Sequence, residues 1–217
     1  MPDIEKINNV AVADISKIDS ITFAHGQKVN NQDVSLATDA HTLISSQDAG
    51  GATSVTFSSL GSYDVLLFDW INFDSTDGAD DVLSFQVTTS SYSYNAPITS
   101  TYFRGYHNEA NSTANHAYYV SGDQANADQV YQWLGSYMDE GEDDSASSGN
   151  LTIFGHSSGT YVKHFMSRSS TEAGAAAYDA HVAGNVNTIE AVTAVQFKAF
   201  GGGTFTGTFD LYGLATS

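Results

Sequence analysis

The sequence predicts an all-β protein, an antiparallel β-sandwich or barrel preceded by an extended N-terminal arm. Three observations carry that expectation. From about residue 30 onward, short segments rich in Val, Ile, Thr, Tyr and Phe are separated by Gly/Ser/Asn/Asp clusters, the pattern of strands joined by turns. Residues 191–199 alternate with period two, so Val195, Phe197 and Ala199 share a face opposite Gln196 and Lys198. No alternation of strand-like and helix-like segments, which a parallel sheet needs, runs through the chain.

The arm, residues 1–25, opens with a short repeat. Ile4-Glu5-Lys6-Ile7-Asn8-Asn9-Val10 returns as Ile15-Ser16-Lys17-Ile18-Asp19-Ser20-Ile21. Two copies fall short of the about three that a solenoid needs, so the pair reads either as two ordinary strands of the domain or as an arm that docks elsewhere. In the docking reading Ile4, Ile7, Val10, Ile15, Ile18 and Ile21 form the interface and add to strands of neighbouring subunits.

Residues 26–217 form the sandwich domain. Its expected strands are 34–37, 41–45, 53–58, 63–73, 82–89, 98–106, 116–120, 129–137, 150–155, 160–168, 178–183, 189–199 and 205–213. Turns fall at Asp48-Ala49-Gly50-Gly51, Asp77-Gly78, Ser121-Gly122, Ser148-Gly149 and Gly201-Gly202-Gly203. The glycine triplet is expected to close a C-terminal hairpin between 191–199 and 205–213. Residues 127–138 fit a helix by the spacing of Ala127, Val130, Leu134 and Tyr137, but their β-branched and aromatic content favours a strand.

Composition narrows the function. Of 217 residues, 7 are Lys or Arg and 25 are Asp or Glu, a formal charge of −18. Nucleic acid and anionic membranes need a cationic footprint, so neither is an expected partner. With no cysteine, disulfides, thiolate metal sites and a cysteine nucleophile are excluded. No run approaches the ~18 apolar residues of a membrane span, and Met1–Glu5 lacks the basic start of a secretory signal. A soluble protein made in a cytoplasm is expected.

Several segments together resemble a known type. They are Ser62-Tyr63-Asp64 with the loop 74–80, Thr101–Glu109, Ser148–Phe154, Tyr161–Arg168, and Val195–Lys198 leading to Gly207–Gly213. From about residue 53 to the end the chain resembles the β-sandwich virion structural proteins of tailed phages of marine bacteria, especially cyanophages. The resemblance implies a fold of jelly-roll type and a place on the particle exterior, as a capsid decoration, head fibre, tail-fibre or adaptor module. It also implies other virion proteins as partners; the unpaired sheet edges favour a homo-oligomer, a symmetric ring or above all a trimer. No catalytic residue follows from it.

The most tempting chemistry is Gly155-His156-Ser157-Ser158-Gly159, a G-x-S-x-G match after the apolar run 151–154, with Asp179 and His181 in the right order downstream. That motif must open a helix, yet Thr160–Phe165 reads as a strand. Asp179 and His181, two apart, share one strand face. A turn is therefore expected, with a serine esterase as the minor alternative. The acidic runs 139–144 and 74–81 miss the calcium-loop pattern, leaving Ca²⁺ an outside possibility and no cofactor expected. His25, His41, His107, His116, His156, His164 and His181 show no His-x-x-x-His spacing. His156 and His164 approach only if 155–164 is a hairpin. Aromatics beside Asn and Asp, at Ser90–Asn95 and Tyr102–Tyr119, suggest a glycan-binding fibre tip as the main alternative function. Arg104 and Lys163 are expected to serve as ion-pair partners in an acidic surround.

Overall fold

The computed structural model describes residues 41–75, 81–127, 130–138 and 144–214, together with four two-residue strands in the first forty residues. The chain divides into two units, Met1–Ala40 and His41–Ser217. In the first unit β1 (Lys6–Ile7) pairs with β2 (Val10–Ala11), and β3 (Lys28–Val29) with β4 (Gln32–Asp33), both antiparallel. Ile7 stands opposite Val10 in the first of these pairs. Ile4, Ile15, Ile18 and Ile21, and the expected strand 34–37, lie outside the described residues.

The second unit contains β5 (Thr42–Asp48), β6 (Val55–Phe57), β7 (Val65–Ser75), β8 (Leu83–Thr88), β9 (Ile98–Asn108), β10 (Ala114–Tyr118), β11 (Ala125–Ala127), β12 (Gln132–Trp133), β13 (Ser147–Phe154), β14 (Lys163–Glu172), β15 (Ala176–Val186), β16 (Ala194–Ala199) and β17 (Phe205–Leu214). No helix occurs among the described residues. Every pairing is antiparallel.

Eight strands make a jelly roll. One sheet runs β13-β7-β17-β5 and the other β12-β8-β16-β6, and the chain crosses between sheets at every step except β8 to β12. That strand order is the double Greek key. Two insertions extend the first sheet past β13: the β14–β15 portion between β13 and β16, and β9–β11 between β8 and β12. The full order is β10-β9-β15-β14-β13-β7-β17-β5, with β11 on the start of β9. Of the five added strands, β14, β15, β9 and β10 form a wing, with β11 on its margin.

Alternation explains what fills the sandwich. Leu66, Phe68 and Trp70 of β7, Phe209 and Leu211 of β17, and Phe197 of β16 all point inward and are buried. Phe197 meets Phe68 at 5.4 Å, Phe209 at 5.5 Å and Phe57 at 6.3 Å between ring centroids. The wing's inner face is different. After Phe165, β14 turns Ser167, Ser169 and Thr171 inward, and residues 130–138 lie across this hydroxyl-rich layer. Gln132 accepts from the Ser100 hydroxyl (2.6 Å) and donates to the Gly122 carbonyl (2.8 Å), while the Tyr102 hydroxyl donates to the Gly135 carbonyl (2.7 Å). Residues 132–133 are strand, and the Leu134 and Met138 amides continue along Leu83 and Asp81. The helical alternative for this stretch is not realised.

Two glycines let the wing close. A Cβ at Gly149 would stand 2.4 Å from the Arg168 carbonyl oxygen and 2.7 Å from the Trp70 ring. One at Gly184 would stand 2.3 Å from the Thr99 carbonyl oxygen and 2.8 Å from the Phe165 ring. Each aromatic ring lies over a bare backbone.

The expected C-terminal hairpin is not formed. β16 pairs with β6 and β8, and β17 with β5 and β7. The triplet Gly201–Gly203, with φ of 94° at Gly202 and 93° at Gly203, is a corner that carries the chain from one sheet to the other. Both segments alternate because both face the same core from opposite sides. Local pattern alone does not separate that arrangement from a hairpin.

Candidate functional site

The G-x-S-x-G motif is a tight turn between β13 and β14, which pair as a hairpin with Ile153 opposite Phe165. Gly155 takes φ 58°, the Ser158 amide donates to the Gly155 carbonyl (3.0 Å), and the Ser158 hydroxyl accepts from the Thr160 and Tyr161 amides (both 3.1 Å). A strand follows, not a helix. Ser157 is exposed, whereas its neighbour His156 is buried and pushed below the usual histidine range by burial. Asp179 lies opposite Ser170, seven positions along β14 from Lys163, about 23 Å at the usual strand rise. Ser157, Asp179 and His181 are not brought together.

The two basic residues differ from expectation. Lys163 is fully buried and its ammonium donates to the carbonyls of Ser158 (2.6 Å), Tyr161 (2.7 Å) and Ile189 (3.1 Å). It ties the β13–β14 turn to the loop before β16. Period two places it on the inward face with Phe165, and burial lowers its pKa. Arg104 lies over the Tyr119 ring at 4.0 Å and the Tyr178 ring at 5.2 Å, and donates to the Ser136 hydroxyl (3.0 Å). Among the described residues, carbonyls and aromatic faces, not carboxylates, hold both cations.

Of the acidic run 74–81, residues 76–80 lie outside the described residues. Asp81 is buried and accepts from the Val82 amide (2.8 Å), the Gly201 amide (2.8 Å) and the Ser75 hydroxyl (3.3 Å). It anchors the glycine corner. Of the run 139–144 only Asp144 is described, and His25 also lies outside. Among the described residues no group of three His, Asp or Glu side chains is placed to hold a metal ion. His41, His107, His116, His164 and His181 are exposed.

The register brings a different set together on the outer face of the large sheet. Asp210 stands opposite Asp69, Asp69 opposite Asn150, Asn150 opposite Arg168, Arg168 opposite His181, His181 opposite Phe103, and Phe103 opposite Tyr118. This one row runs from carboxylates through a cation to aromatics. Burial, and then the facing Asp210 carboxylate, hold Asp69 above the usual carboxylate range. Arg168 grips Asp179 through two hydrogen bonds of 3.0 Å, and His181 Nε2 lies 3.1 Å from the same carboxylate. The Arg168 fork is the main cause that keeps Asp179 below its ordinary pKa. Asp179 and His181 do share one strand face.

Beside this fork a groove of about 560 Å³ opens between Asn150, Arg168, Ser170, Asp179, Gly105 and His107. Past Gly105 the aromatic end begins: Phe103 is 42% and Tyr118 43% exposed. The Phe103 ring stacks on His116 at 6.4 Å and 6°, and meets Tyr118 edge-on at 5.2 Å. Tyr102, on the opposite face of β9, is buried, and burial raises its phenol pKa. Phe103 and His116 escape a reading by residue type. The alternation Ile98, Ser100, Tyr102 inward would have turned Phe103 outward.

No known protein family, curated protein or solved structure matches the chain.

Proposed function

We propose that the chain is a non-enzymatic structural protein of a virus particle, a jelly-roll module mounted on the exterior through its N-terminal segment. The observation that carries this reading is the strand order, two interleaved four-stranded sheets with a wing added to one of them. Such sandwiches hold shape through paired backbone and packed side chains, and their free edges favour symmetric assembly. The dispersal of Ser157, Asp179 and His181 removes the main support for an esterase. The sequence resemblance supplies the virion setting, with other virion proteins as partners, and the unpaired edges support a homo-oligomer, a trimer above all. Ile4, Ile7, Val10, Ile15, Ile18 and Ile21 are the proposed docking residues, each buried aliphatic side chain contributing on the order of 2 kcal/mol.

The test is incorporation. Mass spectrometry of purified particles should find the full chain as a stoichiometric component, and deletion of residues 1–22 should abolish incorporation while the variant stays folded. Particles that lack the chain, or that incorporate it without those residues, refute the proposal.

A receptor-binding tip is the second reading, favoured by the exposed Phe103, His116 and Tyr118. β5, which opens the second unit, and β10 occupy opposite edges of the large sheet, about 34 Å apart at the usual strand spacing.

A further inference from the structure

We propose that the outer face of the wing binds a neutral saccharide in the groove that Arg168, Asp179, Gly105 and His107 line, with the Phe103–His116–Tyr118 cluster beside it. The site belongs to the chain itself, whether or not it is mounted on a particle.

Space comes first. On the row Ser170–Asp179–Gly105–His116, Gly105 offers no side chain. A Cβ there would meet only His116 Cδ2 at 3.5 Å and the Asn115 carbonyl oxygen at 3.8 Å. The depression is open, and its volume of about 560 Å³ lies within the roughly 300–1,000 Å³ of small-ligand sites.

Chemistry comes second. Asp179 is held by Arg168 and His181, which leaves its remaining lone pairs aimed by a fixed frame. The Arg168 guanidinium has further N–H donors, and Asn150 offers both a donor and an acceptor. Adjacent donors and acceptors held in place match vicinal hydroxyls, each of which donates and accepts. At the other end Phe103 and Tyr118 keep apolar ring surface in water at a real cost, and the C–H face of a pyranose ring is the complementary surface for an aromatic platform.

Charge and topology then exclude other occupants. The fork is neutral as a pair, and a chain of net charge −18 repels polyanions, so sulfated or uronate-rich chains are disfavoured. A peptide that adds as a strand needs a free edge. β9 is flanked by β15 and β10 over this stretch, so its backbone groups are already paired.

The test uses the purified full-length chain in affinity electrophoresis through neutral polysaccharides (glucan, mannan, galactan) and through a sulfated galactan. At least one neutral polymer should retard the chain. Gly105→Val, which fills the depression and whose Cβ would have no fork atom within 4 Å, and Phe103→Ala should each weaken retardation by about tenfold or more. Thermal unfolding should show both variants folded. Should Gly105→Val misfold, Asp179→Asn at the exposed fork replaces it with the same expected loss. Absence of retardation by every neutral polymer, retardation unchanged in the folded variants, or a preference for the sulfated polymer overturns the proposal. Particle incorporation is read separately, so failure of the groove and failure of the mounting are distinguishable.

Discussion

Replacing Phe197 by alanine tests the sandwich at its seam. The ring is fully buried on β16 and touches Phe57 from its own sheet and Phe68 and Phe209 from the other. Truncation removes the ring's transfer free energy and leaves a cavity whose walls sit on strands paired along both edges or fixed by the opposite sheet. Collapse is therefore limited, and the loss belongs in the upper half of the phenylalanine range, about 4 kcal/mol. That is a large part of the roughly 5–15 kcal/mol that holds a domain together. Equilibrium urea unfolding reads it as a lower midpoint with an unchanged slope. Phe154→Ala is the control, because that ring is 39% exposed and its loss should cost less than about 1.5 kcal/mol. If Phe197→Ala costs no more than the control, the two sheets do not meet as described.

Three further outcomes follow from the geometry. Gly184→Ala forces a Cβ to 2.3 Å from the Thr99 carbonyl oxygen; it should destabilise by about 3 kcal/mol, with amide exchange rising first in β9 and β15, and unchanged protection there would contradict the pairing. Lys163→Met strips three carbonyl acceptors of their donor and should cost about 2 kcal/mol, measured by thermal unfolding; a neutral effect would mean the ammonium is dispensable to the two loops it joins. Glu190 accepts from the Ser91 hydroxyl (2.5 Å), the Thr89 hydroxyl (2.6 Å) and the Ser91 amide (2.9 Å), which lower its pKa from 4.5 to about 2. A depressed carboxylate stabilises above its unfolded pKa and loses that contribution as the pH falls through its folded one. The stability gap between the wild type and Glu190→Gln should thus be full above pH 4.5 and shrink toward pH 2, and a gap independent of pH would refute the assignment.

Strand positions were legible because period two and glycine turns are local. The expected 63–73, 82–89, 98–106 and 205–213 fall on β7, β8, β9 and β17 with small shifts at their ends. Sheet membership was not legible. Residues 191–199 and 205–213 each pair with strands more than a hundred residues earlier in the chain, and nothing local encodes such partners. Site residues failed in two ways. Lys163 was read by its charge, although alternation with Phe165, Ser167 and Ser169 turns it inward. The groove depends on register across β14, β15 and β9, so Arg168, Asp179 and Gly105 become neighbours only once the ladder is known. The shared face of Asp179 and His181, a purely local matter, was read correctly.

The last two strands are keystones. β17 occupies the slot between β5 and β7, and β16 the slot between β6 and β8. Thr42 must wait for Gly213, and Val55 for Phe197. Until both strands emerge from the ribosome, the two slots stay vacant and four strand edges stay open. Such remote closure is slow and exposes sticky surface meanwhile. Truncation after Gly203 would strand β5 with no neighbour at all, so closure of both sheets rests on β16 and β17.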